Sequence, residues 1–418
     1  MAQKILDRPV PQSRHSTSSR PFPQHQRQSL PSCLSLFLDI VRSLAALTVA
    51  IGHLSVICFP TSWSPILLNC AEGAVAVFFV LSGFMIRYIT SVKYTDLRRF
   101  TVDRISRIYS VAIPAVALTI LLDLVTARLN PTYYAVTGGD TVTRMPVFLP
   151  FADRLFEQAW LHGLFRVVLS LTMLSQSWFH DSSLLSNSPF WSLSYECVYY
   201  ALFGIVLYLR GRRRVIAVIV VFLLIGPTIF LMLPLWLLGC AAYDASQDGV
   251  FKKSQVLNKK SQAKLLSLAL LSVACVHGTR AIVGHFHAHW FYIGRMTPWM
   301  DTAAIATVAV VLLSSAVLRN LSVSEAHPAV RLIRKLAAAT FPLYLIHLPL
   351  FVLVAAAVPY SRTSLWARFV ILGSAITLSI LFTGPCDAFK DYLRNKLRPT
   401  RTTTLQAAVS AGKRPVRA

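Results

Sequence analysis

The chain has 418 residues, of which 55% are hydrophobic and only 14% are charged, whereas a soluble domain carries about 25% charged residues. This composition argues against a soluble protein. The net charge of +24 does not indicate nucleic-acid binding, because Lys and Arg lie in short segments between apolar runs. Runs near the length of about 20 residues that crosses a bilayer recur along the chain, so the sequence predicts an all-α fold, a polytopic bundle of transmembrane helices.

The predicted elements divide the chain into two tails and a membrane domain. Residues 1–35 are rich in Ser, Pro and Gln, which predicts a disordered cytoplasmic tail, and they lack the apolar segment of a signal peptide. A transmembrane domain is predicted over residues 36–384 and a basic cytoplasmic tail over residues 385–418. About ten spans are expected in this domain, at 36–58, 73–90, 108–127, 190–209, 214–230, 231–243, 264–283, 302–318, 338–358 and 366–384.

The distribution of basic residues predicts the orientation of the chain. Most of the 41 Lys and Arg residues lie in segments that a cytoplasmic N-terminus would place inside, so both termini are predicted to be cytoplasmic, in a multi-pass protein of the cell membrane. The apolar run 163–180 is predicted to be re-entrant or interfacial, because a further crossing there would place the basic cluster 210–214 outside. The spans 214–230 and 231–243 are kept separate, because merging them would place the lysines at 252–260 outside.

The first predicted span carries two ionisable residues, Arg42 and His53, which are eleven positions apart. At about 100° per residue they share one helix face and lie about 16 Å apart along the axis. Ionisable groups inside a bilayer are costly and tend to be functional. This face is therefore predicted to combine a cation near the inner surface with a proton acceptor farther out. A snorkelling arginine and an interfacial histidine are the alternative.

The fourth and ninth predicted spans add a carboxylate and a second histidine. Glu196 lies about 9 Å into its span and His53 about 8 Å into its own, both from the outer side. The carboxylate is therefore placed to orient the His53 ring and raise its basicity. A structural pairing of Glu196 with an arginine is the alternative. His347, near the middle of the ninth span, is either a site residue or a core histidine with satisfied hydrogen bonds.

The segment after the second span holds Arg104 and Arg107, which lie on one side of a helix at positions i and i+3. Paired guanidinium groups suit a phosphate-rich ligand, and contact with anionic lipid headgroups is the alternative. No metal site is predicted, because the alternating histidines of the run 285–289 lack carboxylate or cysteine partners. The seven cysteines form no CxxC pair and are expected to be free thiols. A disulfide between Cys58 and Cys70, which flank one short loop, is the alternative if that loop is extracytoplasmic.

Five short motifs follow one another along the chain. They are Arg42-x10-His53; Phe78–Phe84 within Gly73–Ile86; Arg104-x-x-Arg107; Trp191-Ser192-Leu193-x-x-Glu196 with Tyr199-Tyr200; and Tyr344-Leu345-x-His347. Together they resemble the acyltransferase-3 family of membrane O-acyltransferases. The chain departs from that family in two places: Ala76 stands where an acidic residue is frequent, and Ser110 stands where proline often follows the Arg-Ile-Tyr sequence.

The resemblance implies that an acyl group, expected to be acetyl, moves from acyl-CoA to a hydroxyl group of a carbohydrate, a lipid-linked sugar or another small acceptor. Arg104 and Arg107, with Arg42 behind them, would bind the CoA phosphates on the cytoplasmic side. His53 would deprotonate the acceptor hydroxyl as a general base, a role worth about 10²–10⁴-fold in rate. Glu196 would orient His53.

Three further residues of these motifs, Trp191, Tyr344 and His347, are expected to contact the donor, the acceptor or an intermediate. An acyl-imidazole on His53 is an open variant. Acyl-CoA is a co-substrate, and no other cofactor and no metal are implied. Two functions from other classes are the alternatives: a proton-coupled exporter of a small polar molecule, which also needs buried His, Glu and Arg, and a non-catalytic membrane scaffold. The lack of an internal sequence repeat argues against the exporter.

Overall fold

The structure, a computed structural model, describes residues 30–92, 96–134, 159–178, 182–247, 259–285, 298–318, 320–358, 361 and 363–398. Of these residues, 87% are helical, and no strand occurs among them. The predicted all-α fold is thereby confirmed. The sequence predictions for residues 1–29, for the histidine run after His285 and for residues 399–418 lie outside this described part of the chain.

The described residues form a series of long helices, numbered here in chain order. They are α1 (Ser32–Cys58), α2 (Ser64–Val92), α3 (Leu97–Leu129), α4 (Ala159–Leu171), α5 (Trp191–Tyr208), α6 (Gly211–Ile225), α7 (Leu233–Gln247), α8 (Lys259–His285), α9 (Pro298–Leu318), α10 (Pro328–Ala357) and α11 (Leu365–Leu397). Single helical turns at Pro131–Tyr134, Ser188–Phe190 and Thr228–Leu231 lie between them.

Within the described part of the chain, seven helices are long and apolar enough to cross a membrane, judged by length and composition. They are α1, α2, α3, the segment Ser188–Tyr208 that contains α5, the segment Trp299–Leu318 of α9, α10 and α11. Helices α6 and α7 have 15 residues each, which is short of the usual span of about 20. The predicted number of about ten spans is therefore not confirmed, although helix covers all or most of each predicted span.

Helix α4 overlaps the first half of the run 163–180, for which a re-entrant or interfacial segment was predicted. It has 13 residues, which rise only about 20 Å and so fall short of the hydrocarbon core of about 30 Å. The chain then continues without helix through the described residues 172–178 and 182–187. Irregular backbone at this position needs protein around it, because lipid cannot satisfy its polar groups.

Helices α6 and α7 are separated by a break at Gly226 and Pro227, which lies inside the predicted span 214–230 rather than at its boundary with the predicted span 231–243. Gly226 follows α6 with a φ of +78°, a conformation that glycine adopts without steric cost. A Cβ atom at Gly226 would lie 2.9 Å from the Cα of Trp178, so a larger residue does not fit. Pro227 has no N–H with which to continue the helix.

Helices α2 and α10 are central to the bundle. Helix α2 packs against α1, α7 and α9, while α10 packs against α1, α3 and α11. The contact between α2 and α7 joins backbone to backbone: a Cβ at Gly83 would lie 2.0 Å from the carbonyl oxygen of Trp236, and one at Gly239 would lie 1.9 Å from that of Val80. Small residues allow such close approach between membrane helices. The crossing brings the Trp236 side chain to α2.

The last helix extends past the predicted end of the membrane domain at residue 384 and ends at Leu397. Ion pairs between successive turns, Lys390 with Asp387 and Arg394 with Asp391, stabilise its last turns. The predicted basic tail therefore begins as helix.

Candidate active site

A cavity of about 380 Å³ opens between α1, α2, α3, α5, α10 and α11. Its volume falls in the range of about 300–1,000 Å³ that is usual for small-molecule sites, and its wall is mainly apolar. The basic side chains that line it are Arg42 of α1, Arg104 and Arg107 of α3, and Lys390 of α11. Arg104 and Arg107 lie in the first turns of α3, and Lys390, which pairs with Asp387 of the same wall, lies in the last turns of α11. Basic side chains outnumber the one carboxylate there, so this end of the cavity is cationic.

The cavity wall at the other end carries hydroxyl groups. Ser192, in the first turn of α5, and Tyr344 of α10 both line the cavity, and their oxygen atoms lie 2.7 Å apart in a hydrogen bond. The Tyr344 ring packs against Phe78 of α2 with ring centroids 5.7 Å apart. Trp191 is buried behind this wall, where its ring packs edge-on against Tyr195 at 5.2 Å between centroids. The structure therefore brings Tyr344, but not Trp191, to the cavity.

Arg42 is held in place by two acceptors. Its Nη2 atom donates to Asp39 Oδ1 at 2.8 Å and to the carbonyl oxygen of Ala337 at 3.3 Å. Asp39 also accepts from Arg334 of α10, so one carboxylate bridges two cations. Asp39, which lies three positions from Arg42 and so on the same side of α1, was not predicted as a site residue.

Glu196 lines the cavity and belongs to a network of aromatic and hydroxyl side chains. Its Oε1 accepts hydrogen bonds from Ser82, at 3.0 Å, and from Tyr200. The indole of Trp236 donates to Ser82 Oγ at 3.2 Å, across the close contact of α2 with α7. The Tyr200 ring lies 5.9 Å from the guanidinium carbon of Arg104. Glu196 is therefore connected to the cationic end of the cavity through Tyr200.

Two histidines lie in contact beside Tyr344. His347 Nε2 lies 3.1 Å from His53 Nδ1, and the two ring centroids are 5.1 Å apart. His347 is 1% exposed, and its ring centroid is 6.3 Å from that of Tyr344. The histidine pair, His53 with His347, therefore lies next to the hydroxyl-bearing end of the cavity.

The backbone carbonyl groups determine which ring nitrogens of the histidine pair carry protons, because in a neutral histidine one nitrogen donates and the other accepts. His347 Nδ1 lies 2.9 Å from the carbonyl oxygen of Leu343, so it donates there and its Nε2 accepts. His53 Nδ1, 3.1 Å from both that Nε2 and the carbonyl oxygen of Val49, is then a donor. This assignment from the hydrogen-bond network puts the lone pair of His53 on Nε2.

The contacts of α1 agree with one sequence prediction and differ from another. Arg42 and His53 both contact α10, through Ala337 and His347, so the shared face predicted from their spacing is the face that packs on α10. Glu196 was predicted to orient His53, but it bonds to Ser82 and Tyr200, and His347 is the residue bonded to the His53 ring. Matching depth alone does not determine which helices are neighbours.

The described residues offer no group of three or more His, Cys, Asp or Glu side chains that could hold a metal ion. All seven cysteines are free thiols, as predicted, and Cys386 lies in the cavity wall. The chemistry of this cavity therefore depends on its cations, its hydroxyl groups and the histidine pair beside it.

These features define a polytopic helical membrane protein whose internal cavity has a cationic end and a second end beside two hydrogen-bonded histidines, the partly buried His53 and the buried His347. A family model for acyltransferase 3, described as an acyltransferase domain, matches residues 35–384. The chain belongs to the acyltransferase-3 family and is a multi-pass membrane acyltransferase. No curated protein and no solved structure matches it.

Proposed function

We propose that this acyltransferase moves an acyl group, acetyl in the simplest case, from acyl-CoA to a hydroxyl group of a carbohydrate, a lipid-linked sugar or another small acceptor. The observation that carries the proposal is a single cavity with four cations on its lining and a histidine pair beside its opposite end. A phosphate-rich, elongated donor matches that polarity. With the cationic end facing the cytoplasm of a protein in the cell membrane, acyl-CoA would enter from the inside.

In this proposal the phosphates of the donor bind Arg104, Arg107 and Lys390, and Arg42 lies deeper along the cavity. Guanidinium groups bind phosphate through two parallel hydrogen bonds, which fixes orientation as well as affinity. The apolar wall between the two ends, which includes Met85 and Ile108, would contact the pantetheine arm. The acyl thioester would then reach Ser192 and Tyr344.

His53 is proposed as the general base. Its Nε2 lone pair would take the proton of the acceptor hydroxyl while that oxygen attacks the thioester carbonyl. The new C–O bond forms, the C–S bond breaks, and the proton passes from His53 to the departing CoA sulfur. As His53 becomes an imidazolium, its Nδ1–H would bond more strongly to His347, because hydrogen bonds from charged donors are stronger. His347 thus takes the orienting role that was predicted for Glu196.

Glu196 is proposed to act at the donor end. Its carboxylate fixes the Tyr200 hydroxyl, and the Tyr200 ring lies against Arg104. Loss of the carboxylate would therefore loosen a phosphate-binding arginine rather than the base. Tyr344 and Ser192, joined by their hydrogen bond, are proposed to contact the reacting thioester or the incoming hydroxyl.

Acyl transfer by the purified protein tests this function. Wild type and His53→Gln, reconstituted in lipid without an ion gradient, are given acetyl-CoA and a panel of hydroxylated sugars and lipids, and release of free CoA is followed with time. The proposal expects acceptor-dependent CoA release by wild type and its near loss in the variant. A proton-coupled exporter or a scaffold would release no CoA under these conditions. The reaction is also quenched rapidly without acceptor and examined by mass spectrometry. Detection of acylated His53 would indicate a covalent acyl-imidazole intermediate instead of general-base catalysis.

A further inference from the structure

Two prolines, Pro342 and Pro349, lie inside α10, on either side of the segment that carries Tyr344 and His347. A proline has no N–H, so the carbonyl group four residues before it loses its helical partner. For Pro349 that carbonyl belongs to Leu345, which is fully buried. A buried carbonyl without a donor is costly, and most of all inside a membrane protein.

The missing donor comes from Asn187, 158 positions away in the chain. Its Nδ2 atom lies 2.7 Å from the carbonyl oxygen of Leu345 and 3.0 Å from Thr119 Oγ1 of α3. Asn187 is fully buried and lies just before α5. Its side-chain amide therefore does for α10 what the N–H of residue 349 would do in an uninterrupted helix.

The segment that carries Asn187 is anchored on α3. Asp123, which is 3% exposed, accepts hydrogen bonds from both the backbone N–H, at 3.0 Å, and the hydroxyl of Ser186. Asp123 and Thr119 are four positions apart and so lie on the same side of α3. One face of α3 thus fixes Ser186 and Asn187, and Asn187 in turn fixes the backbone of α10.

Leu345 lies between the two α10 side chains that reach the site. Tyr344 bonds to Ser192 and His347 bonds to His53, and both bonds depend on the position of the helix at this turn. We infer that Asn187 is a positioning residue, which holds His347 in hydrogen-bonding distance of His53 through the Leu345 carbonyl. The inference rests on the proposed function, because it assigns Asn187 to the orientation of the proposed base.

A double-mutant cycle isolates this role. Asn187→Leu keeps the size of the side chain but removes the donor, and Pro349→Ala restores the helical N–H that makes the donor unnecessary. Asn187→Leu is expected to lower kcat by about 10- to 100-fold, the cost of a displacement near 1 Å in a catalytic group. The donor KM is expected to change less than about twofold, since the phosphate-binding end is untouched. The Asn187→Leu/Pro349→Ala variant is expected to recover most of the kcat of Pro349→Ala.

Thr119→Val is the matched control, because it removes the other partner of Asn187 while the Leu345 carbonyl keeps its donor. It is expected to change kcat less than Asn187→Leu does. Should Asn187→Leu fail to fold, Asn187→Ser, with its shorter hydroxyl donor, takes its place in the cycle. Equal losses of kcat in the Asn187 variant with and without Pro349→Ala would overturn the inference, and so would an unchanged kcat in the folded single variant.

A second readout separates the inference from the proposed function. The rate at which diethyl pyrocarbonate modifies His53, read by mass spectrometry, depends on its bond to His347 and requires no turnover. It is expected to fall in Asn187→Leu, because the Nε2 lone pair of His53 becomes less nucleophilic when Nδ1–H loses its acceptor, and to return to the wild-type rate in the double variant. Absence of acyl transfer by wild type would refute the proposed function alone, whereas an unchanged modification rate across the cycle would refute the positioning role alone.

Discussion

At the cationic end of the cavity, Arg104 and Arg107 come from one helix and lie three positions apart, whereas at the opposite end His53 and His347 lie 294 positions apart in the chain. The cations lie where the cavity is partly exposed, and Arg42 keeps 30% of its side chain exposed. The histidine pair depends instead on directional hydrogen bonds of 2.9–3.1 Å between groups of α1 and α10. The first end is therefore suited to binding a charged ligand, and the second to holding a reacting group at a fixed distance.

Substitution of His53 should have the largest effect. His53→Gln keeps hydrogen-bonding capacity but cannot take the proton, so kcat is expected to fall by about 10²–10⁴-fold while the donor KM stays near the wild-type value. His327→Gln is the matched control, because His327 is an exposed histidine that caps α10. Steady-state acyl transfer, with folding checked by monodisperse elution, measures both. If folded His53→Gln retained a tenth or more of wild-type turnover, His53 would not be the base, and His347 would become the next candidate.

The rate of wild type should also fall toward acid pH, because a protonated His53 has no lone pair. The profile of kcat against pH measures this loss directly. A profile that stayed flat down to the pH at which the protein unfolds would contradict an essential histidine base.

Substitution of His347 should have the next largest effect. His347→Leu removes the Nε2 acceptor of His53 but not the base itself, so kcat is expected to fall by about 10- to 100-fold, as for a displaced catalytic group. Binding of CoA should be unchanged, because His347 lies away from the basic side chains. Single-turnover kinetics at saturating donor measure the chemical step alone. A loss as large as that of His53→Gln would instead indicate that His347 itself takes part in the proton transfer.

Substitution of the paired arginines should affect binding rather than turnover. Arg104→Ala and Arg107→Ala each remove a charge-assisted hydrogen bond of about 1.5–3 kcal/mol, which predicts a rise in donor KM of about 10- to 100-fold. Lysine should rescue only in part, since it lacks the planar fork. Arg98→Ala, at an exposed position of α3, is the control. If the donor KM were unaltered in both alanine variants, Arg104 and Arg107 would not bind the donor and would instead contact anionic lipid headgroups at the membrane surface.

Glu196→Gln should have the smallest effect. It weakens the bond to Tyr200, whose ring lies against Arg104, and so is expected to raise the donor KM by about threefold to tenfold, the value of one buried hydrogen bond. Tyr200→Phe removes the same bond from the other side and should give a similar value. A fall in kcat with no change in donor KM would instead indicate that Glu196 orients His53, as the sequence predicted.

The difference between the two ends of the cavity, one built within a single helix and one from distant positions, also explains what the sequence could predict. Apolar runs located the helices, because burial in lipid requires whole segments of apolar residues, and helical periodicity placed Arg104 beside Arg107 and Arg42 on the face of His53. Such relations are local. Periodicity gives the depth of a residue and its position around its own helix, but not which helix it meets. Glu196 was therefore matched to His53 by depth, while the structure pairs it with Ser82.

Other relations depend on long-range packing. The bond of Asn187 to the Leu345 carbonyl joins positions 158 apart, and only the missing N–H of Pro349 hints at it in the sequence. Trp236 reaches Ser82 because Gly83 and Gly239 allow α2 and α7 to touch. Neither contact follows from composition or spacing within one helix.

The assignment of donor binding to the cationic end, and of proton transfer to the histidine pair, can be tested without knowledge of the acceptor. Equilibrium binding of CoA to the purified protein is compared for wild type, His53→Gln and the Arg104→Ala/Arg107→Ala double variant. The account predicts that His53→Gln binds CoA as tightly as wild type does, while the double variant binds at least about 10-fold more weakly. Wild-type affinity in the double variant, or lost affinity in His53→Gln, would contradict the placement of donor binding at the cationic end.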